Sequence, residues 1–314
     1  MSLLITKPGI LTTIQDLGRT GYRSLGINPG GVMDRTAAKL INTLLGNSEN
    51  EAVLEIHFPA GEFQFEEECT FAIGGADFGP MLNGSDIPNW KTITASKGDV
   101  LKFSGPRLGS RSYLSVAGGF RIDYWLGSKS TNLTAEVGGY GGRSLAKGDW
   151  IEFVDPQIIA ERALGPSMIP RYGRFPTVRV IAGAEFDILT AKSELDLSGS
   201  GFTLTSDSNR MGYRLKGPPL HLLEKKELVS AAVTFGTIQL LPDGQIIVLM
   251  ADYQTSGGYP RIANVVEVDL PLLAQLNAGD GASFHLVPLD EAEDAKLRFD
   301  RGLAFLRTGI EFRN

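Results

Sequence analysis

The stretch EFQFEEECTFAI, Glu62 to Ile73, gathers phenylalanine, threonine, cysteine and isoleucine into one short run that glycines enter and leave. That is β-type composition with β-type punctuation. The same kind of run recurs as DVLKFSG from Asp99, RSYLSVAGG from Arg111, TVRVIAG from Thr177 and IIVLMAD from Ile246. The 38 glycines among 314 residues are spread along the chain and supply turns between such runs. Helices of about ten to fifteen residues do not alternate regularly with the strands, so a doubly wound parallel sheet is disfavoured. A mainly β barrel or sandwich is expected.

A chain of 314 residues exceeds what one hydrophobic core comfortably serves, so two cores are expected. The proline-punctuated segment from Asp155 to Pro176 is the natural crossover, giving halves of about 1–165 and 166–314, with exchange of strands between the two modules allowed. A few helices are legible beside the strands. In MDRTAAKLINTLLGN, Ala37, Leu40, Ile41, Leu44 and Leu45 keep helical spacing, with Asp34 as N-cap and Gly46 as stop. DLPLLAQL opens on Asp269 as a capping residue with a first-turn proline. LDEAEDAKLRFDRGLAFL carries a capping pair, Asp290 and Glu293, and the stripe Ala292, Ala295, Phe299, Leu303 and Leu306. These read as helices docked on β modules. KGDVLKF at Lys97, KGDWIEF at Lys147 and AGDGASFHL at Ala278 echo one another, each placing Gly-Asp before a strand-like run.

Charge and cysteine narrow the function. A net charge of −6 with no basic stripe lacks the footprint that a phosphate backbone requires, so nucleic acid is not an expected partner. The single cysteine, Cys69, excludes an intrachain disulfide; it lies in a strand-like run and is expected to be a half-buried, inert thiol. Lys7 and Pro8 interrupt the N-terminal apolar residues, and no run approaches the roughly 20 residues of a membrane span. A cytoplasmic protein without membrane contact is expected. His57, His221 and His285 lack ligand spacing, so no metal is expected. GSKST, Gly127 to Thr131, lacks the first glycine of a phosphate loop, and GGYGGR, Gly138 to Arg143, reads as a flexible surface turn.

Four stretches carry candidate chemistry. TTIQDLGRTGY groups Gln15, Asp16 and Arg19 in a glycine-punctuated turn, which is also what a simple Asp–Arg hairpin pair would look like. INPGGVMDR offers backbone N–H groups before a helix, or only the Asp34 cap. SDSNRMGYRLKG places Arg210 on a loop ahead of a Tyr-Arg-Leu strand that includes Tyr213, and an arginine fork suits a carboxylate or phosphate. ADYQTSGGYP, Ala251 to Pro260, follows the buried run IIVLM and sets Asp252, Gln254 and Thr255 at a strand end, where sites are commonly built. Gly257 and Gly258 allow close backbone approach, and Tyr259-Pro260 is a step able to hold a cis bond. The plainer alternative is a loop that caps its own backbone.

PGILTTIQDLGRTGY, GGVMDRTAAKLINTLLGN with AVLEI, RSYLSVAGGF, LGSKST, SNRMGYRLKG and DGQIIVLMADYQTSGGYPRIANVVEVDLPLLAQL span nearly the whole chain. Together they resemble the allophanate hydrolase subunit 2 family, also described as biotin-dependent carboxyltransferase-like proteins or as the C-type subunit of 5-oxoprolinase. The resemblance implies two cyclophilin-like β-barrel modules with docking helices. It also implies work beside a kinase-inhibitor-like partner subunit and a third subunit, opening 5-oxoproline to glutamate with ATP as co-substrate. Biotin enters only under the alternative, carboxyl transfer to a urea-like amide; a further alternative is a non-catalytic protein that binds a kinase inhibitor. Both substrates are small amides, which a glutamine can pair with on both sides. Asp252, Gln254 and Arg210 are therefore the expected catalytic residues, as base, amide reader and charge stabiliser. Gln15, Asp16, Arg19, Tyr213, Thr255, Gly257, Gly258 and Tyr259 are the expected substrate contacts. Two residues depart from the family pattern: Tyr253, where a small or basic residue is common, and Ile246, where proline is frequent.

Overall fold

The computed structural model describes residues 2–224 and 228–312. Its strands are β1 (Ser2–Lys7), β2 (Thr12–Gln15), β3 (Val53–His57), β4 (Glu62–Phe65), β5 (Cys69–Asp77), β6 (Pro80–Leu82), β7 (Ser85–Asp86), β8 (Thr92–Ala95), β9 (Val100–Phe103), β10 (Leu108–Val116) and β11 (Trp150–Glu152). There follow β12 (Thr177–Ala182), β13 (Gly201–Leu204), β14 (Gly212–Lys216), β15 (Ala231–Ala232), β16 (Thr237–Leu240), β17 (Ile246–Leu249), β18 (Ser256–Gly257), β19 (Arg261–Val265) and β20 (Gly281–Leu286). The α-helices are α1 (Arg35–Leu45), α2 (Ala191–Gly199), α3 (Leu270–Ala274) and α4 (Leu289–Glu311). Two compact units divide the chain: Met1–Arg19, Gly30–Arg171 and Asp300–Asn314 form one, and Thr20–Pro29 with Tyr172–Phe299 form the other. The ten-residue excursion Thr20–Pro29 thus belongs to the second unit, and the chain returns to the first at Asp300.

The first unit holds two sheets, ordered β11-β1-β4-β9-β6-β7 and β2-β3-β10-β5-β8. Their apolar faces share one core, in which Leu3, Ile5, Phe63 and Phe65 of one sheet meet Leu54, Ile56, Phe71 and Leu114 of the other. Each such side chain contributes about 1.5–3 kcal/mol on burial. EFQFEEECTFAI is thus two strands in different sheets, β4 and β5, turning at Glu66–Glu68. Cys69 is completely buried, deeper than expected, and burial with Glu68 nearby pushes its thiol up to about 12. α1 packs on β5 and β10. Asp34 Oδ1 accepts the Ala37 N–H at 2.8 Å, and Gly46 ends the helix at φ +79°, as the sequence implied.

The second unit closes into a seven-strand barrel, β12-β19-β16-β17-β14-β13-β20, in which only β12 and β20 pair in parallel. The mainly β class and the barrel are therefore present. Ring closure belongs to the second unit, whereas the first divides its strands between two sheets. The three Gly-Asp echoes are one turn used three times. Gly98, Gly148 and Gly279 take φ of +89°, +89° and +92°. In each turn the following aspartate accepts the N–H of the residue three positions back, at 2.8 Å for Asp99, 2.7 Å for Asp149 and 2.9 Å for Asp280.

Two helix starts differ from expectation. Asp269 makes no cap bond because Arg179 occupies its carboxylate through Nε at 2.9 Å and Nη2 at 2.7 Å. α4 begins at Leu289, two residues earlier than an Asp290 cap would place it, and Asp290 bonds the neighbouring Glu291 N–H. Its stripe is as read: Ala292, Ala295 and Leu303 are buried.

Candidate functional site

β17 ends at Leu249, and the chain turns through Ala251 and Asp252 before pairing again at β18. Arg210, on the loop before β14, meets this turn. Its Nε donates to Asp252 Oδ2 at 2.8 Å and its Nη2 to Oδ1 at 3.0 Å, with the two side chains only 12% and 18% exposed. Backbone bonds tighten the same junction, from Asp252 N to Arg210 O at 2.8 Å and from Met250 N to Met211 O at 3.0 Å. The Asn28 side chain donates to Asp252 O at 3.2 Å, and the Arg23 guanidinium lies 5.6 Å from the centre of the Tyr253 ring while donating to Val233 O. Tyr253 is buried beneath it. The bulky residue that departs from the family pattern is thus the platform for the Thr20–Pro29 excursion.

The two loops joined by Arg210 and Asp252 wall a cavity of about 220 Å³. Asp207, Asn209 and Met211 come from one loop, Gln254 and Tyr259 from the other. Its floor is a cross-strand row on the barrel's outer face: Arg214 faces Ile247, Gly212 faces Leu249, and Gln239 faces Ile247 from the other side. The sequence pattern made Asp252 a base and Arg210 an anion fork. In the structure each is the other's partner, and Gln254 and Tyr259 are the expected residues that line the cavity.

Gly257 marks where the amides converge. A Cβ built there would lie 2.6 Å from Gln239 Nε2 and 3.1 Å from Gln254 Nε2, so the absent side chain leaves room for both. Gly258 has no such crowding, since its nearest neighbour, Ser230 Oγ, would lie 3.5 Å away. Thr255 contributes its carbonyl to the Val233 N–H. Tyr213 is 2% exposed and alternates with Gly212 and Arg214 along β14, so it points away from the cavity. The peptide before Pro260 is trans; the cis proline among the described residues is Pro59.

Gln15, Asp16 and Arg19 gather within the first unit, around GSKST and GGYGGR, two stretches to which the sequence assigned no chemistry. Asp16 is 1% exposed and accepts hydrogen bonds from Ser128 Oγ at 2.7 Å, Ser130 Oγ at 2.6 Å, Lys129 N at 2.6 Å and Gly18 N at 2.8 Å. Lys129 Nζ reaches Glu51 at 2.6 Å and the Phe120 carbonyl at 3.2 Å. The Gln15 amide donates to Thr131 O, and Arg19 donates to Ser130 O with its guanidinium 4.7 Å from the Trp125 ring centre. GSKST is therefore a turn wrapped on a buried carboxylate. GGYGGR is not a loose surface turn either: a Cβ at Gly138 or Gly139 would strike Ser130 O or Thr131 Oγ1 at 2.3 and 1.9 Å.

Among the described residues no group of three or more His, Cys, Asp and Glu could hold a metal ion, and no helix is long and apolar enough to cross a membrane. Arg214 and Gln239 were missed in sequence. The signal was present for Arg214: once Tyr-Arg-Leu is a strand, Tyr213 and Leu215 share one face and Arg214 takes the other.

The model of the carboxyltransferase domain, subdomain A and B, matches residues 25–286. The chain is similar to the C-type subunit of 5-oxoprolinase from Haemophilus influenzae, with 39% identity over 286 residues that make up 91% of each chain. It is also similar to the corresponding 5-oxoprolinase protein of Escherichia coli, with 36% identity over 294 residues, 94% of each. Of solved structures, the urea amidolyase of K. lactis superposes with a TM-score of 0.91 at 26% identity, over 97% of this chain and 20% of that one. The present chain thus corresponds to about a fifth of that larger protein. With the family model covering most of the sequence and two relatives matching nearly end to end, the chain belongs to the carboxyltransferase domain family, subdomains A and B.

Proposed function

We propose that this chain is a subunit of an ATP-dependent 5-oxoprolinase, acting with a kinase-inhibitor-like subunit and a third subunit to open 5-oxoproline to glutamate. The observation that carries the reading is the near end-to-end match to two proteins named as the C-type subunit of 5-oxoprolinase. The cavity supports it chemically. A lactam presents C=O beside N–H, and the Gln254 amide offers an N–H donor to that carbonyl. Tyr259 also lines the cavity, and the apolar floor of Leu241, Ile247 and Leu249 suits the ring methylenes. The Arg210–Asp252 pair acts as a positioning clamp, because it joins the loops that carry the lining residues.

The nucleotide is assigned to the partner subunits. GSKST is the stretch closest to a phosphate loop, but Ser128 Oγ, Ser130 Oγ and Lys129 N donate to Asp16, and Lys129 Nζ is held by Glu51 and Phe120 O. Those donors are already committed. Co-expression with the kinase-inhibitor-like subunit is expected to give one co-eluting species on size exclusion at micromolar concentration. Elution as two independent proteins would count against the reading.

Gly257→Ala supplies a sharper test of the cavity. The new methyl meets the ends of two flexible glutamines rather than backbone, so the folded state should lose less than about 1 kcal/mol. The displaced amides should nevertheless raise KM for 5-oxoproline about tenfold, the scale of one mispositioned hydrogen bond. An unchanged KM would remove the converging amides from the site.

A further inference from the structure

Arg214 lines the cavity from β14 and has no side-chain hydrogen bond or ion pair among the described residues, unlike Arg210 with Asp252, Arg179 with Asp269 and Arg261 with Glu185. Across the strands, Gln239 is 1% exposed; its Nε2 donates to Tyr259 O at 3.3 Å, and its Oε1 has no hydrogen-bond partner among the described residues. Arg214, exposed and without a side-chain partner among the described residues, and a nearly buried, half-used amide therefore line the same small cavity, with Asp207 the one carboxylate among its described lining residues. Apolar Leu241, Ile247 and Leu249 lie between these groups, where a seated ligand would exclude water and strengthen each polar contact.

We infer that Arg214 is the carboxylate anchor of this cavity, and that Gln239 joins Gln254 in reading an amide N–H and C=O on the same ligand. The ligand class is a small carboxylic acid bearing a neighbouring amide. On the function proposed above, on which the choice of ligand rests, it is 5-oxoproline. An arginine fork takes a carboxylate through two parallel hydrogen bonds, which a lysine ammonium cannot reproduce. Gln239 Oε1 is the acceptor for the lactam N–H, and the Gln254 amide N–H donates to the lactam carbonyl. Asp207 faces the same space and discourages a second negative charge, favouring a monocarboxylate over a dicarboxylate.

The test uses the assembled complex and the full-length chain. Arg214→Gln should raise KM for 5-oxoproline about 30-fold, with kcat changed less than about threefold, because a ground-state anchor is lost and chemistry is not. Arg214→Lys should recover only part of the loss. The melting temperature should not move, since the guanidinium has no partner to lose. Two fragments divide the recognition: cyclopentanecarboxylate, which has the acid without the lactam, and 2-pyrrolidone, which has the lactam without the acid. The first should lose inhibition in Arg214→Gln and keep it in Gln239→Leu; the second should do the reverse. Unchanged KM in Arg214→Gln, with intact turnover, overturns the anchor and leaves the proposed function standing. If the wild-type complex opens no 5-oxoproline, that function fails, and the anchor is judged by amide chemical-shift titration of the full-length chain with cyclopentanecarboxylate. Saturable shifts lost in Arg214→Gln support it, and their absence in the wild-type chain overturns it.

Discussion

Asp252→Asn should lower turnover of the assembled enzyme about 100-fold, and Arg210→Gln should do the same, because together the two side chains fix both walls of the cavity. A displacement of about 1 Å in a positioning element is enough for a loss of that size. Each change removes a charge-assisted pair between largely buried side chains, so stability should also fall, by about 1–3 kcal/mol. The clamp makes a specific demand on the double variant. If the residues act as one unit, Asp252→Asn with Arg210→Gln should be no worse than either alone, and the pH profile of kcat/KM should keep its shape. Independent losses that multiply, or an acid limb that disappears only in Asp252→Asn, would restore Asp252 to the role of general base.

The largest expected effect on stability lies in the first unit. Asp16→Ala removes the shared acceptor of two hydroxyls and two backbone N–H groups in a site 1% exposed. Unsatisfied buried donors cost about 1–3 kcal/mol each, and partial rearrangement of the hydroxyls should hold the total near 4 kcal/mol. Chemical denaturation should show this as a lowered midpoint with an unchanged slope. Ser128→Ala and Ser130→Ala should each cost about 1–3 kcal/mol, since each removes a donor to the carboxylate and also the acceptor of a buried backbone N–H, that of Ser130 for Ser128 and that of Asp16 for Ser130. A midpoint for Asp16→Ala equal to that of the wild type would mean that the turn holds itself together without the carboxylate.

What could be read in the sequence was local. The Asp34 cap, the Gly46 stop, the three Gly-Asp turns and the apolar stripe of α4 each depend on residues within a few positions of one another, so spacing exposes them. Strand alternation also held the placement of Arg214, although the loop arginine four residues earlier looked the better candidate. Partnerships across long separations were not legible. Asp16 meets Ser128 and Ser130 after more than a hundred intervening residues, and nothing near Asp16 announces them. Asp269 has the position of a cap, yet Arg179 takes its carboxylate through the tertiary fold. The same holds for Arg210 and Asp252, which looked like two free functional groups because their 42-residue separation hid their pairing.

The most direct measurement is glutamate release from 5-oxoproline by the reconstituted subunits, followed with ATP present or absent and with this chain included or omitted. The account predicts release only when ATP and this chain are both present, with loss of about 99% of the rate when the chain carries Asp252→Asn. Release at the full rate without this chain, or none from the complete assembly, would contradict it.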